Sequence, residues 1–475
     1  MQTQLFIDGK WRRASDGGSF PVTDPATEET IAEVASATLA DCAEAVELAH
    51  KAGNAWAATP PREKAEILRR AFDRMIERKQ EIAELIVREN GKALRDALGE
   101  AAYAAEFFRW YSEEAVRNVG ELSRSPAGAN HIVVLHQPVG VSLLVTPWNF
   151  PAAMATRKIG PALAAGCAVI LKPASDTPLT ALLIAEVLDE SGVPPGVINV
   201  LPSRRSSEVA NAMLHHPLVR KLSFTGSTEV GRALLAQAAD CVVNCSMELG
   251  GNAPFIVLDD ADVNAAVAGA MVAKMRNGGE ACTAANRFYA QGGIYEEFSA
   301  KFTAAMKAVK VGPGLDPGVE LGPMVNARAI QDIHRLVEDA SAKGAEVLSG
   351  GAPSKGKGYF YPATVLGRVP ASAALLKEEI FGPVAPIVTF KDDAEAIAQA
   401  NDTEYGLVAY LYTNNLRRGM ALAEQLEFGM VGLNRGLVSD PAAPFGGVKQ
   451  SGIGREGSHD GMLEFLEKKY IAVEW

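Results

Sequence analysis

Val141-Ser-Leu-Leu-Val-Thr146-Pro-Trp-Asn-Phe-Pro151 is a short apolar run closed by two prolines. Its length, its Val and Leu content and the turn that stops it mark a buried strand rather than a helix. Working outward, Ala168-Val-Ile-Leu171, Val197-Ile-Asn-Val-Leu201 and Lys221-Leu-Ser-Phe-Thr225 repeat the pattern, with Ala- and Leu-rich helical stretches between them. Strand and helix alternating in this way predict βαβ units and a mostly parallel sheet, whose ligands sit at the carboxyl ends of the strands. A second series runs through Ala253-Pro-Phe-Ile-Val-Leu258, Arg287-Phe-Tyr-Ala-Gln291 and Pro383-Val-Ala-Pro-Ile-Val388. Two α/β domains are therefore expected, and 475 residues are enough for two cores.

After Pro60-Pro61, apolar residues at Ile67, Leu68, Phe72, Met75, Ile76, Ile82, Leu85 and Ile86 follow helical periodicity. Gly120 to Gln137 differs: it is polar and interrupted by Pro and Gly, then turns β-like at His131-Ile-Val-Val-Leu-His136. Such a strand needs an edge to pair with, and the tail Glu467-Lys-Lys-Tyr-Ile-Ala-Val-Glu-Trp475 is a candidate, in this subunit or another. A net charge of -11, from 46 basic and 57 acidic residues, argues against a nucleic-acid or anionic-membrane surface. The N-terminus has no signal-peptide pattern and no apolar run is long enough to span a bilayer, so a cytoplasmic protein is expected. The five cysteines are scattered and lack Cys-x-x-Cys spacing, which predicts neither a disulfide framework nor a metal site.

Two short segments carry chemistry. Cys282 sits in Met275-Arg-Asn-Gly-Gly-Glu-Ala-Cys-Thr-Ala-Ala-Asn-Arg287, and Glu248 in Met247-Glu-Leu-Gly-Gly-Asn252. A thiol is the most nucleophilic side chain near neutral pH, and neighbouring glycines let a substrate approach the main chain. Asn149, at a strand's carboxyl end, can donate an amide hydrogen bond to the oxyanion formed when a thiolate attacks a carbonyl. Lys172 ends the next strand, and Phe224-Thr-Gly-Ser227 with Gly231 ends another and opens a helix, where main-chain N–H groups favour phosphate.

Together these segments resemble the aldehyde dehydrogenase superfamily along essentially the whole chain. The resemblance rests on Pro147-Trp-Asn-Phe-Pro151, Lys172-Pro-Ala174, Phe224-Thr-Gly-Ser-Thr-Glu-Val-Gly231, Glu248-Leu-Gly-Gly-Asn-Ala-Pro254, Cys282, Glu378-Glu-Ile-Phe-Gly-Pro383 and Pro444-Phe-Gly-Gly-Val-Lys449, in family order. It implies Cys282 as nucleophile, Glu248 as general base and Asn149 as oxyanion donor. Pro147 and Trp148 would line the cofactor site, Lys172 and Glu379 would hold its ribose groups, Phe381 would lie against the nicotinamide ribose, and Gly226 and Ser227 would lie near the pyrophosphate. The implied architecture is a Rossmann-like cofactor domain (1–119 and 138–250), an α/β catalytic domain (251–448), and a small β oligomerisation ribbon with the C-terminal strand (120–137 and 460–475). A homodimer or homotetramer is implied.

Within that family the chain resembles the succinate-semialdehyde dehydrogenases. Arg157, Arg276 and Ser451 match positions that grip a far carboxylate there, although an arbitrary arginine is more often a salt-bridge residue. Two guanidiniums and a hydroxyl suit a short aldehyde acid; succinate semialdehyde is the first choice, and glutarate semialdehyde, 2-oxoglutarate semialdehyde or a sulfonated aldehyde the alternatives. Glu248 argues for hydrolysis of a thioester rather than its transfer to coenzyme A. Ala284 stands where many bacterial members carry a second cysteine, so no disulfide switch is expected. Glu280 replaces the usual glutamine, where it could raise the thiol's pKa or act as a second proton acceptor. Ser175 stands where NAD-preferring relatives often have glutamate, and Arg204 and Arg205 could meet a 2′-phosphate. NADP is the expected cofactor, with NAD as the alternative.

Overall fold

The computed structural model describes residues Met1–Trp475. Val141–Val145 is the strand on which the first sheet is organised. All five of its residues are buried, as a strand covered on both faces by helices requires. Val169–Lys172 and Ile198–Val200 follow it in parallel on one side, and Val219–Thr225 and Asn244–Glu248 on the other. Strand order therefore reverses between Val141–Val145 and Val219–Thr225, and a switch point of this kind opens a crevice at the carboxyl ends. Leu5–Ile7, Lys10–Arg12 and Gly452–Ile453 complete the eight strands, all antiparallel to their neighbours.

The second sheet has seven strands in the order Glu346–Ser349, Thr364–Gly367, Val384–Phe390, Ala285–Gln291, Ala253–Val257, Val408–Tyr412, Met430–Leu433. Only the first pair is antiparallel. Each large sheet packs its own apolar core, one around Trp56, Phe107, Phe108 and Ile159, the other around Phe255, Phe288, Phe298 and Tyr410. The strand His131–Pro138 pairs on one side with Glu121–Arg124 and on the other, antiparallel, with the chain's own tail, Leu466–Val473. No helix is long and apolar enough to cross a membrane.

The polar strand Asn244–Glu248 has no counterpart in the sequence reading. Its Asn and Ser side chains find partners in the fully buried Lys221, whose Nζ donates to Asn244 Oδ1 at 2.7 Å and to Ser246 Oγ at 2.5 Å. Burial of a paired lysine, rather than apolar periodicity, holds this strand in the sheet.

Candidate active site

Five residues at the switch point, Pro147, Trp148, Thr225, Gly226 and Ser227, are shared by two adjoining compartments. The larger, about 480 Å³, is lined by Lys172, Ser175, Asp176, Ser206, Ser207 and Glu229 among others. The smaller, about 280 Å³, is lined by Asn149, Met154, Gly250, Cys282, Glu379 and Phe381.

The larger compartment fits a dinucleotide. It lies at the switch point and abuts the start of the helix Thr228–Ala239, while the buried Thr225 hydroxyl on the shared wall has no hydrogen-bond partner. Lys172 Nζ donates to Ser206 Oγ at 2.7 Å, and burial lowers its pKa to about 8. Ser227 caps the helix, its hydroxyl accepting from Val230 N, and the Gly226 N–H is engaged by the Glu248 carbonyl. Trp148 and Phe381 meet edge to face with ring centroids 5.3 Å apart. Glu379 accepts from Gly251 N at 3.2 Å, and burial raises its carboxyl to about 7.

Arg204 and Arg205 do not line this cleft. Both are exposed, and Arg205 pairs with Asp16 at 3.0 Å, while Arg204 meets Ser36 only through its main chain. The loop after Val200 turns both side chains outward and presents Ser206 and Ser207 instead, the first two residues of the helix Ser206–Leu214.

Cys282 follows a tight turn in which Asn277, Gly278 and Gly279 all have positive φ. A Cβ on Gly279 would run into the Gly382 carbonyl, and one on Gly251 into the carbonyl of Cys282 itself. Two separate strands of chain thus close on the nucleophile, which explains the small residues read around it. Glu248 ends its strand opposite Thr225. Both of its carboxylate oxygens are buried without a hydrogen-bond partner, and a Cβ on Gly446 would lie 3.0 Å from Oε1. Burial drives its carboxyl well above 4.5, and the charge of Glu456 adds to this. Burial likewise pushes the Cys282 thiol up to about 12, with Glu248 adding and Arg157 opposing. A carboxylate with a raised pKa is a stronger base once ionised, which suits an acceptor of protons from a thiol or a water.

Asn149 is buried, and its Nδ2 donates to the Glu280 carbonyl at 3.0 Å. An amide nitrogen carries two protons, so one donor direction remains. The Glu280 carboxyl does not face the thiol: Oε1 accepts from Val325 N at 3.2 Å, and burial raises it to about 8. The suggested influence of Glu280 on the thiol is therefore not carried by direct contact.

Beyond Met154, the Tyr103 ring joins the two arginines. Arg157 is 2% exposed; Nη2 donates to the Tyr103 hydroxyl at 2.7 Å, Nη1 to Glu456 at 3.3 Å, and its guanidinium lies 4.1 Å from the Phe445 ring centroid. Glu456 is shared with Lys158 at 2.5 Å. Arg276 makes no ion pair; it donates to Ser439 Oγ at 3.3 Å and lies 5.5 Å from the Tyr103 ring and 5.0 Å from that of Phe150. Ser451 is elsewhere. Its hydroxyl proton goes to the Gly250 carbonyl at 2.7 Å and its oxygen accepts from Gly406 N at 2.9 Å, which leaves no donor for a carboxylate. Ser439, Tyr103 and Glu456 were missed from sequence; nothing in their local context distinguishes them from ordinary loop and helix residues. No group of three or more His, Cys, Asp or Glu side chains is arranged to hold a metal ion.

Covalent oxidation of a carbonyl compound beside a dinucleotide is the chemistry this arrangement defines. The chain belongs to the aldehyde dehydrogenase family, whose profile matches residues 11–471. It is 54% identical over 443 residues to the succinate-semialdehyde dehydrogenase of Paenarthrobacter nicotinovorans, across 93% of this chain and 98% of that one. It is 48% identical over 470 residues to the glutarate-semialdehyde dehydrogenase of Pseudomonas aeruginosa, across 99% of this chain and 97% of that one. The solved structure of an NADP-dependent enzyme of Escherichia coli superposes with a TM-score of 0.98 at 46% identity, covering 100% of this chain and 98% of its own. The protein is an NAD(P)-dependent aldehyde dehydrogenase with the fold of that family.

Proposed function

We propose that the enzyme oxidises succinate semialdehyde to succinate with NADP. The observation that carries the substrate is Arg276, a guanidinium with no carboxylate partner, held beside Tyr103, Ser439 and the buried Arg157. Arg157 is already paired with Glu456, a carboxylate it shares with Lys158, so Arg276 is the guanidinium without an acidic partner that takes a far carboxylate and Arg157 the fixed wall behind it. For the cofactor, Ser175 puts no carboxylate where a 2′-phosphate would sit, and Lys172, Ser206 and the start of the helix Ser206–Leu214 supply donors.

Cys282, giving its proton to Glu248, adds to the aldehyde carbon. Asn149 Nδ2 and the Cys282 N–H stabilise the resulting oxyanion. Bound NADP supplies the hydride acceptor. Collapse of the tetrahedral adduct leaves a thioester on Cys282; Glu248 first releases the thiol's proton to solvent, then takes a proton from the water whose oxygen attacks the acyl carbon, and returns it to the departing thiolate as the acid leaves. Lys172 and Glu379 orient the ribose groups, and Pro147, Trp148 and Phe381 close the wall around the reacting end.

The same arginine would accept a chain one carbon longer or a sulfonate, and the Pseudomonas aeruginosa relative makes glutarate semialdehyde the second reading. The division into cofactor domain, catalytic domain and ribbon belongs to the same proposal. So does a homodimer or homotetramer built on the outer edge of Leu466–Val473, where Tyr470 and Ile471 are exposed.

Initial-rate reduction of NADP and NAD with succinate semialdehyde and with butyraldehyde tests this reading. A preference in kcat/KM of about 100-fold or more for the acid is expected from charge-assisted bonds of roughly 1.5–3 kcal/mol each. Equal use of butyraldehyde would overturn the substrate reading, and faster reduction of NAD the cofactor reading.

A further inference from the structure

We propose that Asn277 is a positioning residue that locks the oxyanion donor to the nucleophile loop. The inference rests on the reading of Asn149 as that donor. The two protons of Asn277 Nδ2 go to the Asn149 carbonyl at 2.9 Å and to the Glu280 carbonyl at 2.9 Å. The Glu280 carbonyl also receives one proton of Asn149 Nδ2. Two hydrogen bonds thus join the turn 147–151 to the turn 276–282, a third within the second turn holds the Asn277 amide and the Glu280 carbonyl in place, and together they fix the direction in which the second proton of Asn149 Nδ2 points. The orientation of the Asn277 amide follows from its surroundings: turned over, its Oδ1 would face two carbonyl oxygens.

The rest of the Asn149 turn is held from outside. Lys92 Nζ donates to the Asn149 carbonyl at 2.7 Å and pairs with Glu100, whose other oxygen accepts from Ala152 N and Ala153 N at the start of the next helix. Asn90 Nδ2 donates to the Trp148 carbonyl at 3.1 Å. With these bonds anchoring one side, Asn277 is the side chain that, besides Asn149 itself, ties the turn to the segment carrying Cys282. It does so at φ +54°, a conformation that costs a non-glycine residue strain, although the next two residues are glycines. Asn277 is 1% exposed, and its own N–H is fixed by Asp96 at 3.0 Å. Glycine would relieve the strain and remove only the carboxamide.

The test compares reactions of one thiol that do and do not form an oxyanion. Ester hydrolysis of p-nitrophenyl acetate and aldehyde oxidation both pass through a tetrahedral oxyanion; alkylation by iodoacetamide displaces iodide at a saturated carbon and does not. In Asn277→Gly, ester hydrolysis and kcat for oxidation are expected to fall together by about 100-fold, the scale for a misplaced group. Alkylation rate and NADP affinity should stay within about threefold. Asn277→Ser, which keeps one donor, should lose less, and it carries the test if the glycine variant proves unstable. In an Asn149→Ala background, Asn277→Gly should cost ester hydrolysis almost nothing further, because the residue acts through Asn149.

Alkylation falling in step with hydrolysis, or full additivity with Asn149→Ala, would overturn the proposal. Undiminished ester hydrolysis in Asn149→Ala alone would instead bring down the oxyanion reading on which it stands.

Discussion

The two ends of the cleft treat polar groups in opposite ways. At the Lys172 end the charged and capping groups are already satisfied, Lys172 by Ser206, Ser227 by its own helix and nearby Arg205 by Asp16, and the orphans there are neutral, the Thr225 hydroxyl and Gln237 Oε1. At the Cys282 end, both oxygens of Glu248 and the side-chain oxygen of Asn149 are buried without partners, and both the Glu248 carboxyl and the Cys282 thiol are held on the protonated side. Unsatisfied buried groups cost stability, so an orphaned carboxyl and amide beside the thiol mark where water and substrate must complete the site. The ionisable group of the binding end, Lys172, is paired before its ligand arrives; that of the reacting end, Glu248, is not.

Glu248→Gln should divide the two ends most sharply. The amide removes the acceptor for the thiol's proton and for the water's, so steady-state turnover should drop about 100- to 10,000-fold and the first equivalent of NADPH should form more slowly as well. Because the buried carboxylate is itself costly, the variant's melting temperature should equal or exceed that of the native protein. Stopped-flow absorbance and calorimetry read both, and unchanged turnover would exclude Glu248 as the base.

Arg276→Ala comes next. It removes the one guanidinium near Tyr103 that lacks an acidic partner. The expected loss in kcat/KM for succinate semialdehyde is about 10- to 1,000-fold. Butyraldehyde should change by less than about threefold, and an equal loss on both substrates would mean that Arg276 is structural.

Ser175→Glu probes the binding end and should be milder. A carboxylate there would repel a 2′-phosphate, so the ratio of NADP to NAD efficiency should fall by about tenfold or more. A ratio that does not move would place the 2′-phosphate away from Ser175.

What could be read from sequence follows the same division. The strands Val141–Val145, Val169–Lys172 and Ile198–Val200 were legible because both faces are covered and, Asn199 and the terminal Lys172 apart, every position is apolar or small. Asn244–Glu248 was not, because its stability comes from Lys221, over twenty residues away. Cys282, Glu248 and Asn149 stand out as residue types, yet the residues that orient them do not. Lys92 and Asn277 reach Asn149 across 57 and 128 positions, and no local period records such pairings. The sequence points to Ser451 beside the two arginines, whereas the hydroxyl that meets Arg276 is that of Ser439. A hydroxyl's role depends on where its proton goes, and the main chain around Gly250 and Gly406 takes that of Ser451. Arg204 and Arg205 lie outside the cleft lining for a related reason: charge is visible in a sequence, the direction in which a loop turns it is not.

Glu280 gives the smallest expected effect on turnover and the clearest one on stability. It belongs to the reacting end by sequence, but its carboxyl binds Val325 N and is raised by burial from 4.5 to about 8. Between those two values the folded chain keeps a proton that the unfolded chain has released. Its contribution to stability is therefore complete at low pH and declines as pH rises toward about 8, by up to roughly 1.4 kcal/mol per unit. Glutamine keeps an acceptor for Val325 N and has no proton to lose. Glu280→Gln should match the native protein in thermal stability near pH 5, exceed it by several degrees near pH 9, and leave kcat within about twofold at pH 7. Parallel stability curves across that range would mean that the Glu280 carboxyl is ionised in the folded protein. A large fall in kcat would return Glu280 to the reacting end as a group that works on the thiol.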